Sequence, residues 1–515
     1  MNKGALRFII KAHLGAVNTG KYFIMLMCLL TASNLLSAKN ITVSFTPDTI
    51  RVLRNPLNGW IMYLGRTWDS DFWEEQGYDN MPAGALSVRV SDFASTCYVR
   101  TSWSSMEPEE GKYFWEDKSS RLYKLFQSIR ARRMKLAFRI VVDSRDQGQN
   151  TPLFVKEAGA QGFLDSNNSK LWSPYPDDPV FQQKYANFIR ALAEEYNNPD
   201  VVDFIDAYGL GKWGEAHGVR YQDYRHKKAV FDWITDLYSQ SFTRIPLAIN
   251  YHRLVGDTIS WADPHPESEM LLEEAIGKGY SLRHDAFGMT GYYQQWEQDF
   301  VRKWNFRRPV IMEGGWITGG HHRYWIDPSG AYRQGHSEDV RREEYQEARN
   351  AHVNMMDFRV GDETHSWFAS AFDLVKAFVK EGGYRLYPSQ VIVPDRAKKN
   401  QSLTLSSVWN NLGWGYCPTN IPQWNQKYKV AYALAKGQSI CKVFVDDKSD
   451  LSEWLKGKPT KCSTTIMLPD LAPGKYQWLT ALVDTTQGNT PGLEVALPSE
   501  KTSRGWVKVS TLKIR

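Results

Sequence analysis

The sequence predicts an α/β protein: a (β/α)8 barrel over residues 39–388 with a short N-terminal β extension, then an antiparallel Ig-like β-sandwich over 389–515. Three observations predict it. Between about residues 57 and 375, apolar β-branched runs alternate with amphipathic stretches, the rhythm of parallel βαβ units. Eight such runs are enough to close a barrel. Beyond Pro388 the helical period stops, and short alternating runs separated by turn residues take over.

The predicted strands are Trp60–Leu64, Thr96–Ser102, Leu136–Asp143, Val202–Tyr208, Pro246–Tyr251, Ala286–Thr290, Pro309–Glu313 and Ser366–Ala371. Helical patterns lie between most of them, over Arg121–Arg133, Phe181–Tyr196, Tyr224–Ser239, Ser268–Lys278, Gln294–Trp304 and Glu343–Asp357. Long segments after strands 3 and 7, Ser144–Asp178 and Gly314–Glu338, fall on the C-terminal face, where barrels of this kind build their sites. The second half's runs, Leu403–Trp409, Thr464–Leu468, Tyr476–Val483 and Trp506–Leu512, are separated by turns such as Pro473-Gly474.

Composition narrows the function classes. The chain of 515 residues holds 20 Trp, 26 Tyr and 23 Phe, enough aromatic area for a large core. Its formal charge is +6, and four of its positives, Lys3, Arg7, Lys11 and Lys21, precede the apolar run Tyr22–Leu36. A basic start, an apolar run and the small residues Ser37 and Ala38 form a signal-peptide pattern, so residues 1–38 are expected to be removed on export to the periplasm or medium. Processing as a surface lipoprotein at Cys28 fits less well, because Met27 is large and the apolar run continues past the cysteine. The remainder carries about +2 and no Lys/Arg-rich block, which argues against a nucleic-acid partner. No stable membrane span is expected after processing. An oxidising compartment permits a disulfide among Cys417, Cys441 and Cys462, with the pairing open.

Two glutamates are the candidate catalytic pair. Glu215 lies just past strand 4 in DFIDAYGLGKWGEAHG, and Glu313 ends strand 7 in RRPVIMEGGW. Both would project into the barrel mouth, where facing carboxylates suit glycoside hydrolysis: one gives a proton to the leaving oxygen, and the other attacks the anomeric carbon or activates water. Polar residues at other strand ends could orient sugar hydroxyls: Arg139 and Asp143 on strand 3, His217 beyond strand 4, Asn250, Tyr251 and His252 on strand 5, His284 and Asp285 before strand 6. Asp206, inside strand 4, is an alternative acid better read as buried and structural. Trp103, Trp213, Trp316 and Trp367 fall at or beyond strands 2, 4, 7 and 8 and are expected to stack on sugar faces.

This arrangement resembles clan A retaining glycoside hydrolases, with the acid/base after strand 4 and the nucleophile on strand 7. YVRTSWSSMEPEEGKYFWED is similar to the early-barrel stretch of β-galactosidase-like members. NPLNGW and VWNNLGWGYCP resemble a group of secreted bacterial barrel proteins with an Ig-like tail. The resemblance implies that Arg100 supports the nucleophile, that Trp367 is the strand-8 sugar platform and that the substrate carries an equatorial leaving group. It departs at Gly214, where such enzymes usually have an Asn that binds the sugar 2-hydroxyl; His217 is the candidate substitute.

The expected activity is therefore a secreted retaining glycosidase without a cofactor, acting on a polysaccharide or glycan fragment. The alternative is a barrel that binds carbohydrate and has lost the chemistry. His321, His322, Asp327, His336 and Glu338 match no standard metal-ligand spacing, so no metal is expected. No GxSxG, P-loop or GxGxxG fingerprint is present. Trp409, Trp414 and Trp424 could bind glycan on the sandwich, although packing is the better reading of them.

Overall fold

The protein's structure is a computed structural model that describes residues 39–64, 71–145, 148–285, 287, 292–318, 330 and 332–515. Eight strands close into one barrel. They are Gly59–Leu64 (β1), Ala94–Ser102 (β2), Lys135–Val141 (β3), Val202–Asp206 (β4), Leu247–Asn250 (β5), Tyr280–His284 (β6), Val310–Met312 (β7) and Met355–Asp357 (β8). Every neighbouring pair is parallel, and β8 closes on β1.

Two predicted strands are corrected. The sixth is Tyr280–His284, immediately before the expected run, of which only Phe287 is described. The strand hides because Ser281 and Arg283 are polar yet buried, which breaks its apolar run. The eighth is Met355–Asp357, inside a segment read as helix; that helix ends at Asn350. Ser366–Ala371, read as strand 8, belongs to a helix over Asp362–Ser370, whose buried Glu363, Thr364, Trp367 and Phe368 fall at helical spacing. The predicted signal segment, residues 1–38, lies outside the described residues.

Helices pack around the barrel where their apolar stripes demand it. Pro179–Tyr196 is the longest: Asp178 caps it by accepting the Phe181 N–H, Pro179 opens its first turn, and Phe181, Tyr185, Phe188, Ile189 and Leu192 form one buried face. Ser120 caps Arg121–Ala131 in the same way, accepting the Tyr123 N–H.

The barrel interior is layered. Toward the N-terminal end, Tyr98, Ala137, Phe204, Ala248, Ile311 and Met355 form an apolar layer continuous with Tyr384, Trp424 and Tyr428 of the second domain. One step further along the strands the lining becomes charged: Arg139, Asp206, Arg283, Glu313 and Asp357, all buried. The second domain thus seals the bottom of the barrel and leaves the charged layer facing the other end.

That domain is a two-sheet sandwich. One sheet holds Leu386–Pro394, Ser402–Asn411 and Thr460–Met467; the other is built on Tyr428–Lys436, Ser439–Asp446, Gly474–Asp484 and Trp506–Ile514. The N-terminal strand Asn40–Ser44 joins the first sheet, antiparallel to Leu386–Pro394. Trp409, Trp414 and Trp424 are buried, so none offers a face to glycan. Trp414 instead donates its indole N–H to the Val353 carbonyl, just ahead of β8. Cys97, Cys417, Cys441 and Cys462 are all free thiols, so the disulfide that an oxidising compartment would permit is not formed. Among the described residues, no helix is long and apolar enough to cross a membrane.

Candidate active site

The chain after β4 turns back on itself to carry Glu215. Trp213 and Ala216 hold φ of 56° and 65°, and the glycines at 209, 211, 214 and 218 are also left-handed. Hydrogen bonds from Lys212 N to His217 O and from Ala216 N to Leu210 O keep this loop closed. Non-glycine residues held in this region are costly and concentrate at functional sites. Gly214 has φ of +74°, and a Cβ there would stand 3.0 Å from Arg139 Cδ. A side chain at this position would crowd Arg139.

Arg139, on β3, organises the charged layer. It donates from Nε to Asp206 Oδ2 at 2.7 Å and from Nη1 to Glu215 Oε1 at 2.9 Å, while Nη2 stands 3.7 Å from Glu313 Oε2. One guanidinium therefore faces both predicted catalytic carboxylates. Arg283 on β6 adds a 2.6 Å bond to Glu313 Oε2, and Arg359, just past β8, donates to Glu313 Oε1. Arg100 stands 3.8 Å from Glu215 Oε1, so it serves Glu215 rather than the nucleophile it was expected to support. Asp206, with Arg139 and the Tyr98 hydroxyl on it, is a buried counter-ion and not a free acid.

These charges set the protonation states. Burial alone would raise Glu215, but the His217 hydrogen bond and the Arg139, His217 and Arg100 charges reverse it and hold the carboxyl below its usual range. Burial is likewise overcome at Glu313 by Arg359, Arg283 and Arg139, which bring it to about 2. Two aspartates go the other way. Burial and the neighbouring Glu313 push Asp357 up to about 7, and burial with Glu215 and Glu313 does the same to Asp285. At neutral pH the Glu215 and Glu313 carboxylates stand beside two carboxyls able to keep protons, Asp285 and Asp357.

Three histidines line the wall between β4 and β6. His217 Nε2 stands 3.5 Å from Glu215 Oε2, and its ring stacks on His252 at 4.4 Å. His252 accepts the Leu254 N–H at Nδ1, and burial next to His217 and His284 holds it well below the usual histidine range, hence neutral. His284 is also lowered by burial. Among the described residues, His217 Nδ1, His284 Nε2 and Asn250 Oδ1 are buried without a hydrogen-bond partner. Buried polar groups rarely go unpaired, so these three are available to water or to a ligand. Tyr251 packs behind His284 with its hydroxyl toward Tyr293, away from the mouth. Asp143 accepts from Arg145, whose guanidinium reaches the Gly218 carbonyl, tying the strand-3 loop to the Glu215 loop.

Only two of the four expected sugar-stacking tryptophans reach the mouth. Trp213 is half-buried beside Glu215, with Lys212 Nζ 4.3 Å from its ring. Trp316 is 40% exposed, and the Arg359 guanidinium lies 4.8 Å from its ring centre. Trp103 is wholly buried against Phe181, Tyr185 and Phe188; its indole bonds to Glu107, which also takes the Gly111 N–H. The Trp103–Gly111 motif is thus a structural staple. A residue missing from the sequence reading is Trp261, 50% exposed, with its ring within 5.6 Å of both His217 and His252. Its signal was slight: a single tryptophan in the turn-rich stretch after strand 5.

Trp367 has a different task from the one expected. It is buried on its helix, edge-on to Trp60 at 5.0 Å, and supports the Arg341 guanidinium at 4.9 Å. Arg341 bridges Glu344 and Glu363. Those carboxylates accept the backbone N–H groups of Gly315, Ile317 and Thr318, while Asp357 takes that of Gly314. The segment after Glu313 is therefore clamped from below, and Trp367 is part of the clamp. His321, His322 and Asp327 lie outside the described residues, and His336 pairs with Glu338. Among the described residues, no group of His, Cys, Asp or Glu could hold a metal ion.

No protein-family model and no curated protein matches the sequence. Solved structures similar to this chain include xylanase B from Clostridium stercorarium F9, at 15% identity over 61% of this chain and 88% of that one, TM-score 0.35. They also include the exo-beta-1,4-mannosidase Op5Man5 from Opitutaceae bacterium strain TAV5, at 14% identity over 65% and 62%, TM-score 0.38. A third is the Pseudomonas stutzeri endoglucanase Cel5A, at 10% identity over 63% and 96%, TM-score 0.34.

Proposed function

We propose that the protein is an exported retaining glycoside hydrolase acting on a polysaccharide or glycan fragment, with Glu313 as the attacking carboxylate and Glu215 as the second carboxylate of the pair. One observation carries this reading: Glu215 and Glu313, from the ends of β4 and β7, meet across the single guanidinium of Arg139. An attacking carboxylate must be ionised, and Glu313 has a pKa of about 2. Anionic carboxylates also favour the positive charge that develops at the anomeric carbon. Around them, Trp213, Trp261 and Trp316 offer partly exposed aromatic faces, and unpartnered imidazole and amide atoms can meet hydroxyls.

The test is turnover of a panel of aryl glycosides and oligosaccharides by the wild type, Glu215→Gln and Glu313→Gln, with the first-formed anomer followed by NMR. Turnover with retention that fails in Glu313→Gln is expected. A second reading, a barrel that binds glycan without cleaving it, is favoured by the ionised state of Glu215, which leaves the pair without a proton to give. Glycan binding without turnover, unchanged in both variants, would establish that reading instead. Export rests on the pattern of residues 1–38; sequencing the N-terminus of protein recovered from envelope and medium should find Lys39 first.

A further inference from the structure

We propose that Asp285, rather than Glu215, gives the proton to the departing glycosidic oxygen and takes one back from water. The proposal rests on the glycosidase reading above and assigns its missing proton donor. Glu215 is ill placed for the task, because both of its oxygens are occupied by cations or donors. Arg139 and Arg100 stand at Oε1 and His217 at Oε2. Placing a proton there would break a charge-assisted bond to a buried guanidinium.

Asp285 has the opposite surroundings. It is the first residue past β6, at the barrel mouth, and its side chain is 23% exposed, against 6% for Glu215 and 1% for Glu313. Among the described residues, no arginine or lysine lies within ion-pair distance of it. The nearest charged-group candidate, His284 Nδ1, is 3.7 Å from its Oδ1 and engages its main-chain carbonyl instead. The groups facing Asp285 from the surrounding strand ends are Glu215 and His217 after β4, Glu313 after β7 and Arg359 after β8. The two anions favour its neutral form, and its pKa of about 7 accords with that placement.

The steps balance. As Glu313 forms a bond to the anomeric carbon, the glycosidic C–O bond breaks and its oxygen takes the Asp285 proton, leaving Asp285 as a carboxylate. Water then attacks the anomeric carbon and gives its proton to Asp285, and Glu313 departs as a carboxylate. Throughout, Glu215 keeps its charge and anchors Arg139, a positioning role.

Leaving-group dependence separates the assignments. A dinitrophenyl glycoside departs without a proton, whereas an oligosaccharide needs one. With Asp285→Asn, oligosaccharide kcat/KM is expected to fall by about 10²- to 10⁴-fold while dinitrophenyl glycoside kcat/KM stays within about tenfold, its kcat alone falling because water loses its base. The alkaline limb of the wild-type pH profile, near pH 7, should disappear in that variant. Azide should restore turnover of the activated substrate in Asp285→Ala, whose folding is checked by its thermal melt. Glu215→Gln should impair both substrates alike. The same split in Glu215→Gln but not in Asp285→Asn would overturn this step and leave the glycosidase reading standing. A wild type that cleaves no glycoside would overturn both.

Discussion

Replacing Arg139 by methionine tests whether one guanidinium holds the charged layer together. The side chain is buried and touches Asp206, Glu215 and Glu313. Removing one member of a buried ion cluster strands the others and costs about 3–5 kcal/mol. A domain whose stability lies well above about 5 kcal/mol, the floor of the usual range of about 5–15 kcal/mol, survives that loss, so the variant should fold. The pH dependence carries the sharper signal. In the wild type, Glu313 is depressed from 4.5 to about 2, so its stabilisation is full above pH 4.5 and lost as pH falls toward 2. In the variant, Glu313 keeps Arg283 and Arg359, but Glu215 loses its nearest cation while remaining buried. Its folded pKa should then rise above the unfolded value. A raised carboxyl binds protons on folding, so the variant gains stability relative to wild type as pH falls from 7 to 5. Urea unfolding followed by tryptophan fluorescence at both pH values should give a deficit of about 3–5 kcal/mol at pH 7, smaller by about 1 kcal/mol at pH 5. A deficit under about 1 kcal/mol at pH 7, or one that grows at pH 5, would refute the reasoning.

Truncating Trp261 or Trp316 to alanine should weaken glycan affinity by about 1 kcal/mol each and leave the melting temperature nearly unchanged, whereas Trp367→Ala should cost about 3–5 kcal/mol of stability. Calorimetric titration with oligosaccharide, paired with thermal melts, separates the two behaviours; equal loss of affinity in all three would return Trp367 to the sugar platform. Gly214→Asn, which supplies the asparagine usual in clan A enzymes, should destabilise by about 1–3 kcal/mol and lower activity, because its Cβ meets Arg139 at 3.0 Å. Urea melts and turnover of the best substrate check this, and a gain in activity would show that Arg139 yields.

Much of the architecture was legible because strand and helix periods are local. Strands 1 to 5 and 7 announce themselves as apolar runs, and Glu313 stands out because it follows one directly. Strands 6 and 8 do not. Tyr280–His284 sets single apolar residues between Ser281 and Arg283, and Met355–Asp357 is only three residues long, so neither offers the apolar run that β3 and β4 keep around Arg139 and Asp206. Asp285 is legible only as one polar residue at a strand end, and Arg359 not at all, because the importance of both depends on three-dimensional neighbours. Tryptophan position along the chain proved a poor guide to exposure: Trp103 directly follows β2, nearer a strand end than Trp213 or Trp316, yet faces the helical layer. Trp261 has no periodic context at all.

The N-terminal strand has a consequence for biosynthesis. Asn40–Ser44 comes off the ribosome before any barrel strand, yet its partner Leu386–Pro394 is made only after the last of them. At about 5–20 residues per second, that strand waits roughly 20–70 seconds for its sheet, with an open edge exposed meanwhile. Its pairing is the clasp that fastens the beginning of the chain to the second domain once the barrel is made. Cutting the gene just ahead of Leu386 would therefore yield no self-contained half: one piece would keep an orphaned strand, and the other a sheet missing its edge.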